Sequence, residues 1–158
     1  MSKLHTFEHT VEVAAPVEQV FEWSIEPENW ERSTPSLSEF VVHEETDEGV
    51  RLAATYSVPG MDQESEMEME VVEPNRLVVT SFESSGNTGE IQYRFEEIDG
   101  GTKVFQSCEY EFGDSLLERI IEPVASRYNK RQFRNSRQTS KELIEAEVAA
   151  EREATIEA

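Results

Sequence analysis

The stretch from Leu37 to Phe112 constrains the fold most, because one pattern repeats along it. Runs in which apolar and polar residues alternate are separated by short segments of turn-forming residues. These segments are 47–49, 59–60, 73–75, 85–87 and 99–101. Alternation with a period of two is typical of strands with one buried face, and glycine, proline, asparagine and aspartate favour tight turns between strands. The stretch therefore predicts an antiparallel meander of six strands.

The alternation is clearest in residues 64–71. Met67, Met69 and Val71 share one face, and three glutamates share the other. We predict that the apolar face is buried and that the glutamates lie in solvent. The same pattern selects the other inward-facing residues of the meander. They are Phe40, Val42, Leu52, Ala54, Tyr56, Ile91, Tyr93, Phe95, Val104, Gln106, Cys108 and Tyr110.

The N-terminal part adds one strand and two short helices. Residues 9–13 alternate as a strand does, which brings the predicted total to seven strands. Pro16 suits the first turn of a helix, because its φ is fixed and it lacks a backbone donor. Apolar residues then recur at helical spacing from Val17 to Phe21. Pro27 ends this helix or restarts the chain as a second one, in which we expect Trp30 to be the apolar anchor.

The last part of the chain has a helical period. Ser115 can cap the helix, and Glu118 stands three residues later, as in a capping box. Pro123 lies inside the apolar stripe and should kink or divide the helix, because it removes a backbone hydrogen bond. The stripe consists of Leu117, Ile120, Ile121, Val124 and Tyr128.

The string AAPVEQVFEW, followed by PENW and Pro35, resembles the START-related helix-grip superfamily, also called SRPBCC. That superfamily includes proteins like polyketide cyclases and dehydrases, coenzyme Q-binding proteins and pollen allergens. The resemblance implies an α+β fold, in which a curved seven-stranded antiparallel sheet and two short N-terminal helices wrap around a long C-terminal helix and enclose a ligand cavity. It covers about residues 5–145. We expect one domain over residues 1–158, with a helical, acidic and alanine-rich tail at 146–158.

Composition disfavours several classes of function. The chain has 34 acidic and 14 basic residues, a net charge of −20, which disfavours nucleic-acid binding. It has no apolar run long enough to span a bilayer and no signal-like N-terminus, so we predict a cytoplasmic protein without stable membrane insertion. Cys108 is the only cysteine, which excludes a disulfide within the chain. The three histidines do not complete a metal site. We therefore expect neither metal nor cofactor.

The excess of acid has two explanations, which are an acidic surface for a basic partner and adaptation to molar intracellular salt. The even spread of carboxylates along every predicted strand favours the second. At 1 M salt the Debye length is about 3 Å, so repulsion among surface carboxylates is largely screened. We therefore expect a halophilic protein that partly unfolds at low ionic strength.

Residues 124–141 contain six basic residues and no acidic one. Continuing the helical stripe beyond Tyr128 selects Arg131 or Gln132, and then Asn135. In one interpretation these three residues roof the cavity, and Arg131 meets the anionic or carbonyl head of an amphipathic ligand, because an arginine fork suits a carboxylate. In the other, the basic residues pair with carboxylates of the sheet or face a partner, such as a second subunit of a homodimer, and bind no ligand.

The candidate ligand-binding residues come from the inward faces of the strands, the short helix and the roof. They are Trp30, Tyr56, Met67, Met69, Tyr93, Gln106, Tyr110, Tyr128, Arg131, Gln132 and Asn135. Ordinary packing is the alternative for the tyrosines and methionines. His9 titrates near neutral pH, but a lone histidine at this position is expected to be structural. Cys108 has no sequence cue for thiolate activation.

Three functions remain open. The resemblance implies binding or transport of a hydrophobic or amphipathic small molecule, such as a lipid, a quinone or a polyketide-like compound, in the cavity between the sheet and the C-terminal helix. A polyketide cyclase or dehydratase would need positioned acid and base groups, and the inward faces offer neither paired carboxylates nor a Ser/His/Asp arrangement. A protein-interaction or co-chaperone module is the third alternative. We prefer the first and assign no catalytic residue.

Overall fold

The computed structural model describes residues 3–58, 61–84, 87–112 and 116–157. Its elements in chain order are β1 (Lys3–Val13), α1 (Val17–Ser24), α2 (Pro27–Ser33), β2 (Leu37–Thr46), β3 (Gly49–Val58), β4 (Met61–Glu73), β5 (Leu77–Ser84), β6 (Asn87–Ile98), β7 (Gly101–Phe112) and α3 (Leu116–Glu157).

The seven strands form one antiparallel sheet in the order β1-β7-β6-β5-β4-β3-β2. Strands β2 to β7 pair with their neighbours in sequence, as the predicted meander requires. The first strand pairs with the last, and β1 and β2 are the edges. The helices α1 and α2 connect these two edges. The predicted α+β helix-grip fold is confirmed.

The strand faces follow the predicted alternation. In β4, Met67 and Met69 are buried, whereas Glu66, Glu68 and Glu70 are exposed. One predicted inward residue is wrong, because Val42 is 46% exposed. The register of β2 against β3 shifts on both sides of the segment 41–42, and such irregularities rotate side chains out of the regular alternation.

Three of the predicted turn segments lie within the described chain. Residues 47–48, 74–76 and 99–100 connect successive strands. Asn75 and Gly100 have φ values of 63° and 82°, in the left-handed region that asparagine and glycine tolerate. Residues 59–60 and 85–86, within the other two turn segments, lie outside the described residues.

The C-terminal helix is continuous from Leu116 to Glu157, with Pro123 inside it. The helix is therefore not divided at this proline, and the alternative of a kink stays a prediction. The remaining backbone hydrogen bonds carry the helix past the one that proline cannot donate. The predicted cap at Ser115 and the side chains of the first part of the stripe, 117–121, lie outside the described residues.

The interior divides into two parts along α3. Beside the C-terminal half of the helix, Ile144 and Val148 join Val20, Phe21 and Phe95 in an apolar core. The rings of Phe21 and Phe95 meet edge to face, with centroids 5.7 Å apart. Burying each such side chain contributes about 1.5–3 kcal/mol. The N-terminal half of α3 faces a cavity instead.

Candidate functional site

The cavity has a volume of about 160 Å³ and lies between the N-terminal half of α3, the segment from α2 to β2, and the inner faces of the strands. Its walls are mainly apolar. The apolar side chains that line it include Phe7, Leu37, Met67, Phe82, Ile91 and Phe133. The rings of Phe7 and Phe133 have centroids 6.2 Å apart, which connects β1 to α3. An apolar compound with one or two rings fits a cavity of this kind.

Trp30 lines the cavity and also fixes the short helices. Its indole nitrogen donates a hydrogen bond to the carbonyl oxygen of Ser24, at 2.6 Å, which ties α2 to the end of α1. Next to it, the hydroxyl groups of Thr34 and Ser136 are 2.6 Å apart and connect the segment before β2 to α3. Both of these residues line the cavity as well. This side of the cavity is therefore formed by the Trp30 indole and the Thr34–Ser136 contact.

Three residues form a satisfied polar network, here called the Asn129 cluster: Tyr56, Asn129 and Tyr110. The Tyr56 hydroxyl donates to the side-chain oxygen of Asn129, and the Asn129 amide donates to the Tyr110 hydroxyl at 3.2 Å. Burial raises the pKa of Tyr56 far above its usual value, and nearby Tyr128, Tyr110 and Cys108 raise it further. The Tyr56 phenol therefore stays protonated and acts as a donor. The cluster ties α3 to β3 and β7.

A second polar group lies on β4 and β5, where Ser84 donates to the Gln63 side chain at 3.1 Å. Both side chains are buried. The Ser84 hydroxyl and the Gln63 side-chain oxygen are therefore already used within the protein.

The third polar group differs, because it is incomplete. The Arg137 cluster consists of Arg137, Tyr93 and Gln106. The guanidinium carbon of Arg137 lies 4.9 Å from the centroid of the Tyr93 ring, and the Gln106 amide donates to the Tyr93 hydroxyl at 3.1 Å. Arg137 is 6% exposed and Gln106 is 3% exposed. No described residue is a hydrogen-bond partner of the Arg137 Nε or of the Gln106 Oε1, although both atoms are buried.

His9 lies beside this cluster, opposite Gln106 in the pairing of β1 with β7. Its pKa is lowered by burial first, and then by the positive charges of Arg134 and Arg137. It is therefore neutral at pH 7. The residues lining the cavity do not include it, so His9 is in no position to act on a ligand there.

Seven of the candidate residues line the cavity. They are Trp30, Tyr56, Met67, Tyr93, Gln106, Tyr110 and Gln132. The other four do not: Met69 is buried in the core, Tyr128 is half-buried beside Tyr56, and Arg131 and Asn135 are exposed. The roof position expected for Arg131 and Asn135 is therefore wrong.

The error is one of helical register. The predicted stripe continued from Tyr128, but this side chain sits at the flank of the cavity, with its ring centroid 6.5 Å from that of Tyr56. The face of α3 that lines the cavity carries Ala125, Asn129, Ser136 and Arg137, so the inward arginine is not Arg131. The lining positions 125, 129, 132 and 136 are separated by four, three and four residues, as expected for one face of a helix. Because these residues are small or polar, hydrophobic periodicity does not identify this face.

The ionisable side chains of the described lining are three tyrosines, one cysteine and one arginine. Among the described lining residues there is no aspartate, glutamate or histidine. Burial raises the pKa of Cys108 to about 12, with a smaller contribution from Glu109, so its thiol is protonated.

Within the described part of the chain, no three histidine, cysteine or acidic side chains come together as metal ligands would. In the same residues, no helix is long and apolar enough to cross a membrane.

Several solved structures share this architecture. A protein from Thermus thermophilus superimposes with a TM-score of 0.79 at 14% identity, covering 90% of this chain and 98% of that one. The Zhui aromatase/cyclase from a Streptomyces species gives 0.69 at 14% identity, covering 89% and 96%. A protein of unknown function from Staphylococcus aureus gives 0.71 at 14% identity, covering 94% and 98%. At such identities the likeness shows the fold alone.

A comparison with curated protein sequences gives no match. The family model described as polyketide cyclase / dehydrase and lipid transport, in contrast, matches residues 5–145. This match covers both edges of the sheet, every lining residue of the cavity and most of α3. The chain therefore belongs to the polyketide cyclase / dehydrase and lipid transport family.

Proposed function

We propose that this protein binds one small apolar or amphipathic molecule in the cavity between the sheet and α3. The observation that carries the proposal is the preformed apolar cavity itself, with a few polar groups at fixed positions, which is the usual composition of a small-molecule site. Its presence in a member of a family described for polyketide cyclases, dehydrases and lipid transport supports the same function.

The volume restricts the ligand. Sites for drug-sized molecules occupy roughly 300–1,000 Å³, and a cavity of about 150 Å³ holds one benzene. The volume of about 160 Å³ is therefore closer to that of a site for a compact aromatic compound than to that of a site for a long chain. A quinone with a long tail, or a lipid, would need the side formed by Trp30 and the Thr34–Ser136 contact to open. We favour a compact aromatic or polyketide-like ligand for this reason.

The chemistry of the lining supports a binder over a cyclase. A cyclase or dehydratase moves protons at the substrate, and groups with pKa values near the working pH do this best. The described lining residues offer instead buried tyrosines, a protonated thiol and an arginine. Of these groups, Arg137 keeps an unpaired donor for a ligand, whereas the Tyr56 hydroxyl already donates to Asn129.

A cavity-filling variant tests the proposal. Ala125 is 5% exposed and lines the cavity, whereas Val124 is 58% exposed on the outer side of the same turn. In molar KCl, we expect the neutral compound 2-acetylnaphthalene to bind the wild-type protein in calorimetry. Ala125→Phe should abolish this binding, because the added ring occupies the cavity. Val124→Phe is the matched control and should bind as the wild type does.

Equal binding by both variants, with circular dichroism showing that both are folded, would place the bound compound elsewhere and refute the proposal. A second, independent experiment is mass spectrometry of an organic extract of the freshly purified protein, which identifies a ligand that was bound in the cell. A stoichiometric aromatic compound is the expected result.

A further inference from the structure

Arg137 is a buried cation without a counter-charge. Its side chain is 6% exposed, and no carboxylate of a described residue lies within 4.0 Å of it, although the chain has 34 acidic residues. The Tyr93 ring beneath the guanidinium supplies only a cation–π contact. A buried charge is strongly unfavourable unless it is paired and hydrogen-bonded. The Nε of Arg137 is buried without a hydrogen-bond partner among the described residues, so the cavity wall keeps an unused charged donor at this point.

Gln106 adds a second unused hydrogen-bonding atom to the same cluster. In the orientation described, its amide nitrogen donates to Tyr93 and its Oε1 has no partner among the described residues. Rotating the amide by 180° exchanges these atoms. Tyr93 then donates to Oε1, and the amide nitrogen faces the unpaired position as a donor. The Arg137 cluster can thus offer donors from both the guanidinium and the amide.

The Asn129 cluster and the Gln63–Ser84 pair make hydrogen bonds within the protein. The Ser36 hydroxyl also lines the cavity and is buried without a partner among the described residues, but Arg137 is the only charged side chain in the described lining. The unpaired charged donor of the cavity therefore lies where α3 passes over β6 and β7. Paired donors around one positive charge match a carboxylate in geometry and in charge.

Building on the proposed function, we propose that the ligand is a small aromatic or otherwise apolar carboxylic acid. Its carboxylate binds the Arg137 guanidinium and the Gln106 amide, and its ring system lies against the apolar wall formed by Met67, Phe82 and Ile91. Ligand binding supplies the counter-charge that the ligand-free protein lacks.

Two isosteric compounds test this, 2-naphthoate and 2-naphthamide. The wild-type protein should bind the carboxylate about 10- to 100-fold more tightly than the amide, since a hydrogen bond to a charged group changes affinity by this much. Arg137→Gln and Arg137→Met should remove the preference and leave naphthamide binding within a few-fold of wild type. Arg127→Gln, an exposed arginine on the same helix, changes the net charge equally and should keep the preference.

The stability of the ligand-free protein provides a second readout. Arg137→Met replaces an unpaired buried charge by an apolar side chain of similar length, so we expect a higher Tm than that of the wild type. A purely structural arginine would give a lower Tm and an unchanged preference between the two compounds, which would overturn the proposal.

Different results would refute the carboxylate proposal and the proposed cavity function. If wild-type protein binds both compounds equally, the carboxylate proposal is wrong and the cavity function stands. The carboxylate proposal is also wrong if Arg127→Gln loses as much preference as Arg137→Gln. If neither compound, nor 2-acetylnaphthalene, binds, the proposed function itself fails. The wild-type comparison decides the matter even if the Arg137 variants do not fold.

Discussion

Gly89 shows how one residue shapes the cavity wall. A Cβ atom at this position would lie 2.4 Å from the Phe82 ring, 2.6 Å from the Tyr110 Cβ and 2.8 Å from the Glu109 carbonyl oxygen. Real side-chain contacts do not approach so closely. The absence of a side chain therefore lets Phe82 and Tyr110, on either side of β6, both reach the cavity.

Gly89→Ala should accordingly lower the free energy of unfolding by about 1–3 kcal/mol, the usual effect of overpacking a close-packed site. Thr88→Ala is the control, because Thr88 is exposed on the neighbouring position and such changes stay within about 0.5 kcal/mol. Denaturant titration in molar KCl measures both. Equal stability of the Gly89→Ala and Thr88→Ala proteins would contradict this prediction, because it would mean that Phe82 and Tyr110 can move to make room for the methyl group.

At the scale of elements, Glu145 of α3 fastens the helix to the end of β1. Its carboxylate accepts hydrogen bonds from the Ala14 amide, at 2.8 Å, and from Lys141, at 2.7 Å. Lys141 also donates to the Glu12 carbonyl oxygen. Burial alone would raise the pKa of Glu145, but the hydrogen bonds from Lys141 and Ala14 and the charge of Lys141 outweigh it, and the pKa is lowered.

Because the pKa of Glu145 is lower in the folded protein, the carboxylate stabilises the fold above its unfolded pKa of about 4.5, and this contribution disappears as the pH falls through the folded value. Glu145→Gln should therefore be less stable than wild type at pH 7, and the difference should shrink as the solution is acidified. Glu142→Gln, one turn away and exposed, carries the same change of charge. If the loss of stability relative to wild type depends on pH in the same way in both variants, Glu145 has no specific role.

The elements also show what the sequence can and cannot predict. The strands were predictable because a period of two places every second residue on the solvent-exposed face of the sheet, and most of the residues at these positions are glutamates. The helix was harder. Its lining face is built from Ala125, Asn129 and Ser136, which are small or polar, so hydrophobic periodicity pointed to Tyr128 and the register was off by one residue. The inward arginine follows only from tertiary packing.

At the scale of the whole molecule, the net charge of −20 dominates. Exposed glutamates stand opposite each other on neighbouring strands, as Glu66 and Glu83 do, and their repulsion is screened most effectively by concentrated salt. We propose that the protein functions in molar intracellular salt. On transfer from molar KCl to dilute buffer, it should lose part of its circular dichroism signal. An unchanged spectrum would contradict this adaptation. Molar sucrose in dilute buffer separates the two effects of salt, because sucrose is excluded from the protein surface but does not screen charge.

The division of the interior along α3 has a kinetic consequence. Ile144 and Val148 lie in the apolar core, whereas the turns from Ala125 to Arg137 cover a cavity and have fewer partners. Amide protons should therefore exchange slowly near Ile144 and faster near Asn129, since local opening is easiest where least apolar surface is packed. The ligand proposed above should accordingly exchange by opening of this part of α3 while the core end of the helix stays folded, at a rate independent of the rate of global unfolding.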